Sequence, residues 1–151
     1  MREKKILFVC PYPENVAPSQ RLKFEQYYPY FKSAGYKVKT TAFINQSFWK
    51  VIYKPGNFFK KGLYTLNGYI RRFATLFTLR QYDVVYIHLW VTPFGPPVFE
   101  WLYRKLAKKV VYDIDDLVYL KNVESKAHPV VTWIKGRKKP IYLMKHADHV
   151  I

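Results

Sequence analysis

Several features that would assign this sequence to a familiar class are missing from it. The 151 residues contain a single cysteine, Cys10, so no disulfide can form within the chain. Only six glycines are present, while 50% of the residues are hydrophobic and 19% are aromatic. This composition excludes collagen-like and intrinsically disordered chains. The length predicts one domain that is large enough to bury a core.

Three common active-site motifs are also absent. The loop after the first predicted strand, Pro11–Arg21, contains no glycine and therefore lacks the G-x-G-x-x-G fingerprint of dinucleotide-binding proteins. The chain has neither a P-loop sequence nor the G-x-S-x-G elbow of the α/β-hydrolases. Cys10 and the four histidines show no metal-ligand spacing. We therefore predict no metal site and no resident cofactor.

Long hydrophobic runs are missing as well. The run Ile6–Cys10 ends at Pro11 and is too short for the hydrophobic region of a signal peptide. The longest uncharged stretch, Val84–Phe99, contains three prolines and a glycine, so it cannot form one continuous membrane-spanning helix. We expect a soluble, cytoplasmic protein, with any membrane contact peripheral and on the inner face of the plasma membrane.

Acidic residues are scarce, and their distribution is uneven. The chain has 26 lysines and arginines against 10 aspartates and glutamates, a formal net charge of +16. No acidic residue occurs between Gln26 and Tyr82, a stretch that carries ten of the basic residues. Many aromatic residues lie in its second half, residues 48–80. This combination suits an anionic membrane surface or a nucleic acid, and it also suits an ordinary solvated face.

Within the basic stretch, one apolar series indicates an amphipathic helix. Its members step by three and four residues, the spacing of one helical face: Leu63, Leu66, Ile70, Phe73 and Phe77. We expect this series to face the core. It leaves Phe48, Trp49, Phe58 and Phe59 unexplained, and these four favour a membrane-interface surface over a groove for single-stranded nucleic acid.

Buried strands alternate with helical segments along the chain. The predicted strands are Lys5–Cys10, Tyr36–Ile44, Asp83–His88, Val110–Ile114 and His149–Ile151. Such alternation is typical of parallel βαβ units and predicts a Rossmann-like α/β sheet flanked by helices. Ligands of these sheets bind beyond the carboxyl ends of the strands. Because the chain stops inside its last predicted strand, we expect residues 1–151 to be the N-terminal part of something longer.

Candidate site residues lie at the predicted strand ends. Ser19 is a plausible N-cap for a helix beginning at Gln20, and that helix start could hold an anion with help from Arg21. An ordinary capped helix explains the same residues equally well. His88 closes the third strand, where a histidine can be either structural or functional.

The fourth strand ends in three carboxylates, Asp113, Asp115 and Asp116. Carboxylates at such a position can act as general bases or bind a divalent cation. Asp113 and Asp115 should point to one side of an extended chain and Asp116 to the other, which disfavours one shared metal. N-capping and solvation of the loop remain the alternative.

The order and spacing of several short motifs resemble those of one enzyme family. The most specific are the A-P-S-Q-R loop, the G-P-P turn and the Y-D-x-D-D strand end. Over nearly its whole length the chain resembles the N-terminal domain of the family-4 glycosyltransferases, which have two Rossmann-like domains (the GT-B fold). The matching segments are Ile6–Pro13, Val16–Arg21, Phe24–Tyr27, Ala34–Tyr36, Asp83–His88, Phe94–Pro97, Phe99–Leu102, Val111–Leu117 and Ala147–Ile151.

The resemblance implies a sugar transferase, usually retaining and metal-independent. In this family the N-terminal domain receives the acceptor, here a cell-surface glycan or a lipid-linked acceptor. The C-terminal domain, which is absent from this chain, binds most of the nucleotide-sugar donor. Many relatives read T-x-H-D where this chain has Asp115 in the histidine position, followed by Asp116. The resemblance thus makes these two the catalytic candidates.

The remaining predicted site residues follow from the same resemblance. Ser19 and Arg21 would face phosphate groups of the nucleotide-sugar. The acceptor cleft would contain Pro11, Gln20, His88 and Asp113. The chain alone is expected to be inactive. The rival from another class is a non-catalytic, basic nucleic-acid-binding module, which we regard as less favoured.

Overall fold

A computed structural model describes residues 3–114 and 138–151 of the chain. It contains five strands, which closely match the predicted ones. They are β1 (Lys4–Cys10), β2 (Tyr36–Ala42), β3 (Val84–His88), β4 (Val110–Asp113) and β5 (His149–Val150).

All five strands form one parallel sheet in the order β2-β1-β3-β4-β5. Parallel neighbours require crossover connections, and here each crossover contains helices. The fold is therefore α/β, with helices flanking an all-parallel sheet, as in Rossmann-like proteins. This confirms the predicted fold class.

Two short helices join β1 to β2, and they begin differently from the prediction. The first helix, α1 (Pro18–Lys23), has Ala17 as its N-cap, so Ser19 is not the capping residue. Pro18 starts the helix instead, because its fixed φ angle and missing N–H suit the first turn. After one 3-10 turn, α2 (Tyr28–Ser33) follows, with Pro29 in its first turn.

Four further helices complete the described structure. Between β2 and β3 lie α3 (Gln46–Ile52) and the long α4 (Phe58–Leu76). Helix α5 (Val98–Leu106) follows β3, and α6 (Lys138–His146) precedes β5. Asn45 caps α3 by accepting a hydrogen bond from the Phe48 backbone N–H.

Alternate residues of β1 supply two separate cores, one on each face of the sheet. Leu7 and Val9 belong to the larger core, which packs under α4, α5 and α6. Ile6 and Phe8 belong to the core under α1 and α2. The side-chain period of two in a strand produces this division, which is why β1 is apolar at nearly every position.

Helix α4 packs in the opposite sense to the prediction. The apolar series that we expected in the core points to solvent, and Phe59 extends it by one turn. We call these residues the outward stripe, and their exposed fractions run from 52% to 83%: Phe59, Leu63, Leu66, Ile70, Phe73 and Phe77. The buried positions of the helix are Gly68, Arg72 and Leu76.

The inward face of α4 approaches the loop after β2 at Gly68. A Cβ atom at this position would lie 2.7–2.9 Å from ring atoms of Phe43, closer than real Cβ contacts. A glycine therefore allows the helix to rest on the Phe43 ring. Phe43 belongs to a third, smaller core with Ile44 and Phe48. Phe48 is thus a core residue, whereas Phe58 and Phe59 are exposed, as predicted.

Candidate functional site

The sheet order places a crevice between β1 and β3. The chain leaves β1 toward β2 on one side and returns to form β3 on the other, so the two connections diverge there. In open α/β sheets this divergence, at the carboxyl ends of the strands, is the usual ligand position. The side chains at this position are those at and after Cys10, His88 and Asp113, the last residues of β1, β3 and β4.

The ends of β3 and β4 bring His88 and Asp113 together. These residues are register partners, and the His88 Nδ1 lies 2.7 Å from the Asp113 Oδ2. Both side chains are fully buried. From α1, the Lys23 Nζ donates to the Asp113 Oδ1 at 2.9 Å and to the Ile114 carbonyl at 3.2 Å. Two predicted cleft residues thus form one charged cluster with Lys23.

This cluster stabilises the ionised form of Asp113. Burial alone would raise the pKa of its carboxyl group, but the hydrogen bonds from His88 and Lys23 outweigh burial and hold the pKa below its usual value. On the other side of the ring, the His88 Nε2 is buried and has no hydrogen-bond partner among the described residues. The carboxylate fixes the orientation of the imidazole, as a carboxylate bonded to a histidine commonly does.

A strained residue follows the cluster immediately. Leu89 has a φ of 62°, in the left-handed region that non-glycine residues rarely adopt. It is held there by two hydrogen bonds: its N–H donates to the Asp113 carbonyl, and its carbonyl accepts from the Tyr112 hydroxyl. Such strain often accompanies functional sites in proteins.

Gln20, a second predicted cleft residue, is occupied by structural contacts. Its buried side chain accepts from the Tyr12 N–H and donates to the Tyr12 carbonyl and to Glu25. Glu25 in turn accepts from the Asn15 N–H. The Pro11 carbonyl accepts from the Ile44 N–H. Gln20 therefore shapes the loop after β1, and its polar atoms are already paired within the protein.

The predicted phosphate-facing residues differ in exposure. Ser19 is half-buried in the first turn of α1, and Arg21 is exposed. Neither side chain forms a hydrogen bond or ion pair with any other described residue. Their role in binding a nucleotide-sugar remains a prediction.

A fully buried arginine holds the carboxyl ends of three segments together. The Arg72 guanidinium donates to the carbonyl oxygens of Cys10 at 2.7 Å, Thr41 at 2.9 Å and Val91 at 2.7 Å. Burial lowers the pKa of its guanidinium. These bonds fix the ends of β1 and β2 and the loop after β3 relative to one another.

The same loop is held from its other side by a buried ion pair. Glu100 accepts from the N–H groups of Val91 and Thr92, and Lys139 donates to the Thr92 and Phe94 carbonyls. Their charged atoms lie 3.6 Å apart. Burial raises the pKa of Glu100 and lowers that of Lys139, and each partner opposes the shift of the other.

An aromatic cavity of about 310 Å³ opens between these loops and the start of α4. Its walls come from the loops after β1, β2 and β3 and from α3. A volume of this size fits a small organic ligand or one sugar unit. The lining includes Tyr12, Phe43, Phe48, Tyr53, Trp90 and Phe94, and Lys61 and Thr65 add polar groups.

The two predicted catalytic residues, Asp115 and Asp116, lie outside the described residues. Within residues 3–114 and 138–151, no three potential ligands are grouped so that they could hold a metal ion. Cys10 is fully buried, and burial raises the pKa of its thiol to about 12, so the thiol stays protonated at neutral pH. Cys10 is therefore a core residue of the sheet face that packs under α1 and α2.

Sequence reasoning missed the charged groups that build this edge of the sheet: Lys23, Glu25, Arg72, Glu100 and Lys139. Charged residues are almost always exposed, so nothing in the sequence marked these as interior. Only the sequence of α4 contains an indication that one of its arginines is buried. Gly68 and Arg72 are four residues apart and therefore share a face, opposite to the apolar series.

No family model matches the chain, and neither the curated proteins nor the solved structures contain a match to it.

Proposed function

We propose that the chain is the acceptor-side domain of a glycosyltransferase, one that transfers a sugar from a nucleotide-sugar to a cell-surface glycan or a lipid-linked acceptor. The observation that carries the proposal is the carboxyl edge of the sheet. There an aromatic cavity opens beside loops that are fixed by buried charges. Rigid aromatic walls with a few polar groups suit a sugar ring, which presents both apolar faces and hydroxyl groups.

The roles of individual residues follow the family resemblance. Asp115 and Asp116 would orient or polarise the reacting sugar, while Ser19 and Arg21 would face phosphate groups of the donor. His88, held by Asp113, would line the acceptor side. Retention of configuration and the absence of a metal requirement are part of the same proposal. The donor would be held mainly by a second domain.

The test is a glycan array probed with the 151-residue chain, followed by calorimetry on each glycan that binds. Trp90→Ala removes a wall of the cavity, and we expect about a tenfold loss of affinity. The control is Trp101→Ala, which removes an exposed indole from α5, outside the cavity lining. A chain that binds no glycan, or two variants with equal affinity, would contradict the proposal. Binding to oligonucleotides that weakens steeply with salt would favour the nucleic-acid alternative.

The outward stripe favours a second function, peripheral attachment to an anionic membrane. Five residues of the stripe lie on one face of the 19-residue helix α4, and the sixth, Phe77, is its C-cap. No acidic residue occurs from Gln26 to Tyr82, and exposed lysines and arginines flank the stripe, with Lys60 near its start and Arg80 beyond its end. Apolar residues at headgroup depth with cations beside them suit an anionic bilayer surface. In the described part of the chain, no helix has both the length and the apolar character to span a bilayer.

Vesicle co-sedimentation tests this attachment. We expect the chain to bind vesicles that contain phosphatidylglycerol and not vesicles of phosphatidylcholine alone. The double variant Leu66→Gln, Ile70→Gln should weaken binding at least about tenfold, because each leucine or isoleucine contributes through burial. Leu22→Gln is the control, since Leu22 is an exposed leucine on α1. Self-association that the double variant abolishes, without vesicle binding, would instead assign the stripe to a second copy of the chain.

A further inference from the structure

A second cavity lies against one face of the sheet, beside the carboxyl-terminal half of β2. It is an open groove of about 440 Å³ between β2 and α4. Leu7, Lys39 and Thr41 line it from the sheet, and Arg71 and Ala74 line it from the helix. Two of these five residues are cationic. The groove therefore differs in chemistry from the aromatic cavity, whose walls are mostly apolar.

The cations of this groove have no carboxylate partner in the described structure. Lys39 is exposed and makes no hydrogen bond or ion pair there. Arg71 makes one hydrogen bond, from its Nη2 to the Phe43 carbonyl at 2.7 Å, and its Nε has none. Every lining residue except Leu7 belongs to the acid-free stretch Gln26–Tyr82. The positive charge is therefore not neutralised locally.

A third charge strengthens the field of the groove. Arg72, the next residue along α4, is fully buried, and its Nη1 donates to the Thr41 hydroxyl at 3.3 Å. Burial lowers the pKa of the Arg71 guanidinium, and the charge of Arg72 lowers it further. An anion bound beside Arg71 would offset this repulsion between like charges.

Donor groups of the groove suit a tetrahedral anion. The Thr41 hydroxyl accepts from the Arg72 Nη1 at 3.3 Å, so its own hydrogen remains to be donated. The guanidinium of Arg71 and the ammonium of Lys39 add charged donors. Thr75 and Thr78 also line the groove, but their hydroxyls donate to backbone carbonyls of their own segment. Two cationic side chains and a hydroxyl that line one groove are the kinds of donor that bind phosphate.

From this arrangement we infer that the groove between β2 and α4 binds a phosphate group through Lys39, Thr41 and Arg71. The site is independent of the proposed transferase activity. Its phosphate can come from a lipid headgroup, because Ala74 follows Phe73 of the outward stripe directly, or from a free phosphorylated compound.

The experiment is a titration of the full chain with inorganic phosphate at constant ionic strength, followed by backbone amide shifts. We expect saturable shifts at residues 39–42 and 71–75. Lys39→Gln and Arg71→Gln should each weaken binding about tenfold, because each removes a charge-assisted hydrogen bond. Lys37→Gln is the matched control, since it removes the same charge from the same strand outside the groove lining. Lys39 is exposed, so its variant tests the site even if the Arg71 variant unfolds.

Phosphatidylglycerol vesicles distinguish the two sources. If the phosphate is that of a lipid, Lys39→Gln weakens vesicle binding more than Lys37→Gln does. If it is that of a free compound, both variants weaken vesicle binding equally while only Lys39→Gln impairs phosphate binding. Shifts that do not saturate, or equal phosphate affinities for the Lys37 and Lys39 variants, would overturn the inference.

Discussion

The two faces of helix α4 distribute their side chains in opposite ways to a typical surface helix. The buried positions against the sheet are Gly68, Arg72 and a single large apolar residue, Leu76, whereas the face toward solvent holds six large apolar residues. Ordinarily the apolar face is buried and the charges are solvated. The apolar period therefore predicts that a helix forms and which residues share its apolar face. Whether that face points to the core or to solvent depends on the contacts that the opposite face makes with neighbouring segments.

Among substitutions on the two faces of α4, we expect the largest effect at Arg72. Arg72→Met keeps the length of the side chain but removes its hydrogen bonds to three carbonyl oxygens, one of which, that of Cys10, keeps another donor, the Phe43 N–H. We therefore expect a loss of about 3–5 kcal/mol in the free energy of unfolding. Urea denaturation would measure this loss. The control is Arg80→Met, a change of the same kind at an exposed residue, which should stay within about 0.5 kcal/mol. Equal effects at the two positions would mean that the inward face does not depend on its charge.

A second buried charge, Asp113, should matter somewhat less. Asp113→Asn weakens the hydrogen bonds from His88 and Lys23, and we expect about 2–3 kcal/mol of destabilisation at neutral pH. Because the pKa of this carboxyl is lower in the folded protein, its contribution is complete above the unfolded pKa of about 3.9 and is lost as the pH falls below it.

Denaturation of both proteins between about pH 2 and 7 would check the sign of this dependence. The difference between wild type and Asp113→Asn should shrink toward acid. A difference that grows toward acid would contradict the cluster as described.

The two glycines of α4 are expected to respond in opposite ways to replacement by alanine. Gly68→Ala places a methyl group against the Phe43 ring and should destabilise the protein by about 1–3 kcal/mol. Gly62→Ala meets nothing within 4 Å and should stabilise it by about 0.5–1 kcal/mol, because alanine favours helix. Thermal or urea denaturation of both variants would show opposite signs. Effects of the same sign would indicate that α4 does not rest on Phe43.

The outward stripe should show the smallest effect on stability. In Leu66→Gln, Ile70→Gln both side chains are already about half exposed, so the free energy of unfolding should change by about 0.5 kcal/mol or less per site. The same variant is expected to lose vesicle binding. A large decrease in the free energy of unfolding in urea would mean that the stripe is buried in the core, as the apolar period alone predicts.

The sequence was sufficient for the five strands and the fold class, because those follow from local patterns, but it did not predict α3 or the order of the strands. A continuous apolar run such as Ile6–Cys10 indicates a buried strand, and a glycine such as Gly35, which has a φ of 81°, indicates a turn. It was also sufficient to place His88 and Asp113 at strand ends, although not to show that their strands are neighbours. Their direct contact, and the arrival of Lys23 from α1, required the register of β3 against β4 and the packing of the first helix.

The inversion of α4 could not be predicted from its apolar period. That period is equally compatible with a core seam and with an exposed surface. The deciding features were the close approach at Gly68 and the three carbonyls that need the Arg72 side chain. Both depend on contacts with distant parts of the chain, at Phe43 and at the ends of β1 and β2.

The hydrogen bonds of Arg72 also bear on the order of folding events. Its partners lie 19, 31 and 62 residues away along the chain, so the bonds can close only after β1, β2 and the β3 loop have met. The guanidinium must lose its water in that same step, and such a contact belongs to a late stage of assembly. We therefore expect Arg72 to control mainly how slowly the native protein unfolds, and to contribute little to how fast it forms.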